Sequence, residues 1–307
     1  MKAHVTVDKY LFHMPIYRQI QKFAQHGVII SSNTMGDWIN NTCQSLTALY
    51  ERLQHCILHA PTKYIQCDET HYKVLDSEKL KGKKSHIGYM WAICNPIDKL
   101  VSFHYEKGRG TKHAKPGVTH ICCNAHARRK FDEAKFIDKV RANHVLELYA
   151  KLYAVEKYCK ENELSYDERK EIRQIKSVPI FEELAAYVRE QLTKVTTLRS
   201  PIGKALAYFS EREKQLGMFL HDGMLLADTN IIENTIRPIA LGRKNYMFSG
   251  SHEAAQNAAM MYSFVGTCKL HDVPVYEWLK YVLTVMPTYP VNQIDDLLPQ
   301  YWKRTLK

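Results

Sequence analysis

Over the first sixty residues, apolar side chains recur every three or four positions, the spacing of amphipathic helices. Pro15 opens a predicted helix with Ile16, Ile20 and Phe23 on one face, and Gly27 ends it. Ser32 or Asn33 is expected to cap a longer helix carrying Met35, Trp38, Ile39, Leu46, Leu49 and Leu53. From Lys63 the period drops to two. The stretch KYIQCDETHYKVL sets Ile65 and Cys67 on one face and Gln66 and Asp68 on the other. HIGYMWAICNP aligns Ile87, Tyr89, Trp91 and Ile93. After the turn NPID, KLVSFHYE aligns Val101, Phe103 and Tyr105. This predicts an antiparallel meander, with a shorter fourth strand at GVTHICC.

Helical spacing then returns. VLELYAKLYAVEKYC repeats Val145, Leu148, Leu152, Val155 and Cys159, and Ser165 with Glu168 has the form of a capping box. IFEELAAYVREQLTKV aligns Phe181, Leu184, Ala185, Val188, Leu192 and Val195. Ser200 and Pro201 form a cap and first-turn pair. Asp228 is placed to cap a short helix holding Glu233 and limited by Pro238. Ser251 caps a helix through Met260 and Cys268, and VYEWLKYVLTVM stops at Pro287. Strands followed by many helices define an α+β protein, or a mixed sheet with helical cover.

Composition adds a direction. Lys plus Arg number 43 against 32 for Asp plus Glu, a formal charge of +11, which favours a polyanionic partner, nucleic acid first. No apolar run approaches the ~20 residues of a membrane span. The opening MKAHVTVDKYLFHMPIYRQ lacks the apolar core of a signal peptide. Eight cysteines scattered through apolar contexts suit reduced thiols, so a cytoplasmic protein without membrane partners is expected.

Two stretches carry candidate chemistry. In CDET, Asp68 interrupts a strand, where a carboxylate is costly unless it is paired, metal-bound or solvated at an edge. In DTNIIENTIRP, Glu233 and Arg237 stand four apart, the spacing of an exposed ion pair on a helix. Residues 15–50 fit either a helix-turn-helix DNA reader or a helical hairpin packed on the next domain, and the hairpin is the expected reading.

CDET, GYMWAICNP, KGRG, CNAHARRKF, SPIGKALAY, DTNIIENTIRPIALGRKNYMFSGS and CKLHDVPVYEWL occur in this order. The succession resembles the insertion-sequence-sixty-six family of bacterial transposases, from about Val5 to about Trp302. The resemblance implies an RNase H-like mixed sheet with an Asp-Asp-Glu triad that holds two divalent ions, Mg²⁺ or Mn²⁺, about 4 Å apart. It implies phosphodiester hydrolysis followed by transesterification on double-stranded DNA at transposon ends. Asp68 corresponds to the first acid and Glu233 to the third, both as catalytic residues and metal ligands. Arg128, Arg129, Lys130, Arg237, Arg243 and Lys244 are the expected DNA contacts. The implied layout is a helical region over 1–60, a core over 61–245 with a helical insertion at about 131–199, and a helical region over 246–307. The helix of Glu233 is expected to lie beside the strand of Asp68, and partnership is expected with a second copy or an intact transposase.

The stretch EKGRGTKHAKPGVTHICC departs from that family. There, a helix and a strand bearing the second Asp, in a block like Q-x-D-G-Y, follow KGRG. Here no Asp-Gly-Tyr occurs between Gly110 and Cys122, so a join is expected near Ala114 and Lys115. The sheet is then one strand short, the triad incomplete, metal binding weakened and catalysis lost. Asp76 and Glu106 are the nearest stand-ins in sequence, whereas Asp228 reads as a helix cap. The family's amino-terminal zinc-binding segment and its DNA-binding helices have no counterpart in this sequence. Asn124 stands where the family usually has Trp. Beside it, Cys123 and His126 do not complete a four-ligand zinc site and read as core residues at a strand end. The readings are therefore an active transposase, a catalytically dead remnant that binds DNA or pairs with an intact relative, a regulator built on residues 15–50, or a chain without a folded core.

Overall fold

The period-two stretches form three strands, β1 (Gln66–Val74), β2 (His86–Asn95) and β3 (Leu100–Glu106), in an antiparallel sheet of order β1-β2-β3. Asp68 pairs with Ala92, and Ala92 with Phe103. The computed structural model describes residues 1–75, 85–109 and 121–302. Eleven helices are described: α1 (Lys2–Tyr10), α2 (Ile16–Gln25), α3 (Ser32–Leu58), α4 (Asn124–Ala134), α5 (Lys139–Glu161), α6 (Tyr166–Ile172), α7 (Val178–Lys194), α8 (Pro201–Gly217), α9 (Asn230–Tyr246), α10 (His252–Leu270) and α11 (Val275–Val285). The result is an α+β fold. Two compact units divide it, residues 1–111 with 231–307, and residues 112–230.

In the first unit, one sheet face is buried by α10. That face carries Gln66, Tyr72 and Val74 from β1, Met90, Ala92 and Cys94 from β2, and Val101 and Phe103 from β3. The residue pairs expected from the sequence do share faces, but on β1 the polar-looking set turns inward. Ile65 and Ile87, of the other parity, are 37% and 59% exposed. Tyr72, Val74, Met90 and Cys94 outweigh Ile65 in deciding which face is covered.

Side chains and the Ser249 backbone close the edges of the sheet. At β3, the Val101 and Phe103 amides donate to the Thr267 and Ser263 hydroxyls of α10 (3.2 and 2.7 Å), and the Tyr50 hydroxyl of α3 donates to the Phe103 carbonyl. These bonds replace the ladder partners an edge lacks. The recorded parallel pairing is a single bridge between Val74 and Ser249, so among the described residues the sheet is antiparallel rather than mixed. Of the expected fourth strand, 117–120 lies outside the described residues. Ile121–Cys123 forms no strand, and its Cys122 amide donates to the Gln215 carbonyl.

Local chemistry set most helix ends. Ser165 and Glu168 make the full capping box, and Ser200 and Ser251 accept from the Gly203 and Ala254 amides. The cap of α3 is Ser31, one residue before the expected position. The helix of Glu233 is not short: α9 runs through Pro238 to Tyr246. Proline deprives only the Asn234 carbonyl of its partner. Asn234 is an exposed residue of α9, while Ile232, Ile236 and Ile239 are buried and hold the helix. The 27-residue α3 buries Met35, Ile39, Leu46, Leu49 and Leu53 in the core, as a packed hairpin would.

Arg52 of α3 makes a bidentate pair with Asp295, with bonds of 2.5 and 2.7 Å. The hydrogen bonds from Arg52 hold the Asp295 carboxyl below its ordinary range. A depressed pKa stabilises the fold above the unfolded value and loses that contribution as pH falls through the folded one. Both groups are partly exposed, so Asp295→Asn should cost only ~0.2–1 kcal/mol at neutral pH. In thermal unfolding, the gap to the unaltered protein should shrink as pH drops below about 4.

The second unit is helical. Phe131 of α4, Val145 and Leu148 of α5, Leu184 and Val188 of α7, and Leu206 and Phe209 of α8 form its core. The helices expected as an insertion at about 131–199 lie within it.

Candidate active site

Asp68 lies on β1, partly buried, and its Oδ1 accepts from the Glu69 amide at 2.8 Å. Alternation puts its side chain on the same sheet face as Thr70 and Tyr72. A side chain of helix α9 reaches this strand: Arg243 donates to the Thr70 hydroxyl at 3.0 Å and to the His71 carbonyl. At the other end of α9, Gly266 of α10 approaches both Thr235 and Val101, whose row contains Cys94 and Gln66. The chain continues past α9 into the parallel bridge at Val74. Glu233 is partly buried in the first turn of α9.

The outer edge of β1 is occupied by these same groups. Outward-pointing backbone is bonded by the Ser249 segment at Lys73 and Leu75, by Arg243 at His71 and by the Asp68 carboxylate at Glu69. Arg243, expected to face phosphate, is half-buried against the strand, and burial lowers its guanidinium from the ordinary value. Arg237 and Lys244 are exposed on α9.

The block CNAHARRKF is helical rather than a strand end. Cys123 precedes α4 and is buried. Burial alone would raise its thiol, but hydrogen bonds with His126 and Thr229 outweigh that and lower it. Asn124 is buried in a polar nest: Nδ2 donates to the Leu216 and Ala227 carbonyls (3.0 and 3.1 Å), and Oδ1 accepts from the Tyr149 hydroxyl at 3.4 Å. Arg128 and Arg129 are exposed on α4, and the Lys130 ammonium sits 4.7 Å from the Tyr208 ring centroid. Asp228 accepts from the Asn230 amide at 3.1 Å, in keeping with a cap at the start of α9. Glu106 is exposed at the end of β3, and Asp76 lies outside the described residues.

Sequence reasoning missed two features. Arg109 of KGRG pairs with Glu69 of CDET at 2.7 Å. A cleft between α9 and α10 is lined by Asn234, Thr235, Pro238, Tyr262, Gly266 and Lys269, and burial lowers the Lys269 ammonium. Neither follows from local spacing, since each joins residues distant in the chain.

An antiparallel sheet with Asp68 on its edge strand, packed under helices that include the α9 of Glu233, defines an α+β protein. The chain belongs to the IS66 transposase family: the family model matches residues 1–117 and 114–257, and the model of the IS66 C-terminal element matches 263–300. It is 29% identical to the uncharacterized protein y4jD of Sinorhizobium fredii over 343 aligned positions, which cover 99% of this chain and 66% of that relative. It is 27% identical to y4hP of the same organism over 347 positions, which cover 98% of this chain and 62% of the relative. The chain thus spans less than two thirds of the length of these curated relatives. No solved structure matches. Among the described residues, no helix is long and apolar enough to cross a membrane.

Proposed function

We propose that the chain is a DNA-binding remnant of an Asp-Asp-Glu transposase, built on an RNase H-like core that has lost the strand of the second acid. The observation that carries this reading is the break in the family match at residues 114–117. The alignments agree with it, because 343 positions against a chain of 307 residues leave at least 36 without a counterpart here. That length suits one helix, one strand and their connections. The position of β1 as an edge strand, with its outer groups taken by side chains and by the Ser249 backbone, supports the same reading. On this reading residues 61–245 form the core, interrupted by helices at about 131–199 and flanked by helical regions at 1–60 and 246–307.

Asp68 and Glu233 offer hard carboxylate oxygens, a donor set that suits Mg²⁺ or Mn²⁺. They would hold one such ion. Bound at such a site, a divalent ion activates water and stabilises a leaving oxygen. The residues themselves contribute charge and position: Asp68 is fixed by its bond to the Glu69 amide, and Glu233 by the first turn of α9. Without the second Asp, two ions cannot be held in register, and cleavage and strand transfer are lost.

Double-stranded DNA remains the partner, through Arg128, Arg129, Lys130, Arg237 and Lys244, with pairing to a second copy or an intact relative, in the bacterial cytoplasm. Fluorescence anisotropy with a random-sequence duplex should show binding that weakens steeply with salt. Arg237→Ala with Lys244→Ala should lower the log–log salt slope by about two. No binding at about 50 mM salt would remove the reading.

A further inference from the structure

The turn between α4 and α5 holds three large apolar side chains in solvent: Phe136 is 87% exposed, Ile137 69% and Val140 81%. This knuckle is held firmly. The Ile137 and Asp138 amides both donate to the Ala134 carbonyl at 3.0 Å, and Asp138 caps α5 by accepting from the Arg141 amide at 3.1 Å. Just beneath it, Phe131, Ala134, Ala142 and Val145 are buried in the core of the helical unit. Exposing three such side chains on a fixed turn gains nothing for folding. Cations border the knuckle. The Lys135 ammonium lies 5.7 Å from the Phe136 ring centroid and donates to Asp132 at 2.8 Å, and Arg141 pairs with Asp138 at 2.6 Å; Lys139, Arg128 and Arg129 are exposed on the flanking helices, as is Glu133, so the surplus around the turn is cationic.

We propose that this knuckle is a DNA wedge, with Phe136 pressed into a base step while the flanking cations grip the adjacent phosphates. The inference rests on the reading of the chain as a DNA-binding protein and adds a contact to it. Apolar wedges flanked by basic residues unstack base steps in duplexes bound through their backbones. A second copy of the chain fits the knuckle poorly. A self-complementary contact would set the cations of one knuckle against those of the other. Three side chains also cover far less than the ~1,000 Å² of a stable interface, whereas a wedge needs one or two residues.

The test is titration of the full chain into a duplex carrying 2-aminopurine, read by probe fluorescence and by anisotropy. Binding should raise the fluorescence as the base unstacks. Phe136→Ala should abolish that rise and weaken binding about tenfold, and Ile137→Ser should reduce both. Lys139→Ala should weaken binding but keep the rise. These side chains are exposed, so unchanged circular dichroism melting is expected for all three variants. Binding without a fluorescence rise, or a Phe136→Ala protein that behaves like the original, overturns the wedge and leaves the DNA-binding reading standing. Absence of any duplex binding overturns both. Self-association in sedimentation that Phe136→Ala abolishes would also overturn the wedge, assigning the knuckle to contact between copies.

Discussion

Arg173→Ala is expected to destabilise the helical unit by about 3–5 kcal/mol. Its side chain is fully buried, in a π-helical turn between α6 and α7. All five guanidinium donors are used. Nε and Nη2 grip Glu156 at 2.7 and 2.6 Å, Nη1 reaches the Phe219 and Asp222 carbonyls, both at 2.7 Å, and Nη2 also reaches the Leu225 carbonyl at 2.9 Å. The alanine variant would leave the partly buried Glu156 carboxylate and three carbonyls, that of Phe219 buried, without this donor. Arg173→Lys should recover little, because an ammonium has three donors and no planar fork. Urea unfolding followed by circular dichroism measures the loss. A cost below about 1 kcal/mol, the value of an exposed pair, would show that the site is not sealed.

Trp278→Ala should cost a similar ~3–5 kcal/mol in the first unit. The indole is fully buried, packs on Phe264 at 5.0 Å between ring centroids and donates to the Leu297 carbonyl at 2.9 Å. All three residues fall in the stretch matched as the C-terminal element, so this one side chain ties that element together. Trp278→Phe keeps most of the volume and loses the hydrogen bond, so its expected cost nearer ~1 kcal/mol separates packing from polarity. Thermal unfolding of the two variants reads the difference.

What was legible in the sequence was local. Strand periodicity and the caps at Ser165, Ser200 and Ser251 depend on neighbours a few positions away, and the structure has them. Features decided by distant partners were not legible. Arg173 looked like any charge in ERKEIRQIK until the chain returned with the carbonyls of Phe219, Asp222 and Leu225. The inward turn of Gln66 and Asp68 was decided by α10 and by the rest of the sheet face. Pro238 failed to end its helix, whose Ile232, Ile236 and Ile239 are held in the core. Arg243 was expected on phosphate, yet the open edge of β1 gave it a nearer acceptor. Asp68 and Glu233 are intermediate cases. Spacing showed only a carboxylate in a strand and an i,i+4 pair, and the family resemblance linked them as acids of one site.

The most direct measurement is a Mn²⁺-dependent nicking and strand-transfer assay on DNA carrying the ends of an active family member's element. That full-length member would run beside this chain and its Glu233→Ala variant. The account predicts cleavage by the full-length protein and none by this chain. Cleavage by this chain that vanishes in Glu233→Ala would contradict it, because another acid, Glu106 or Asp76 by proximity in sequence, would then be completing the site.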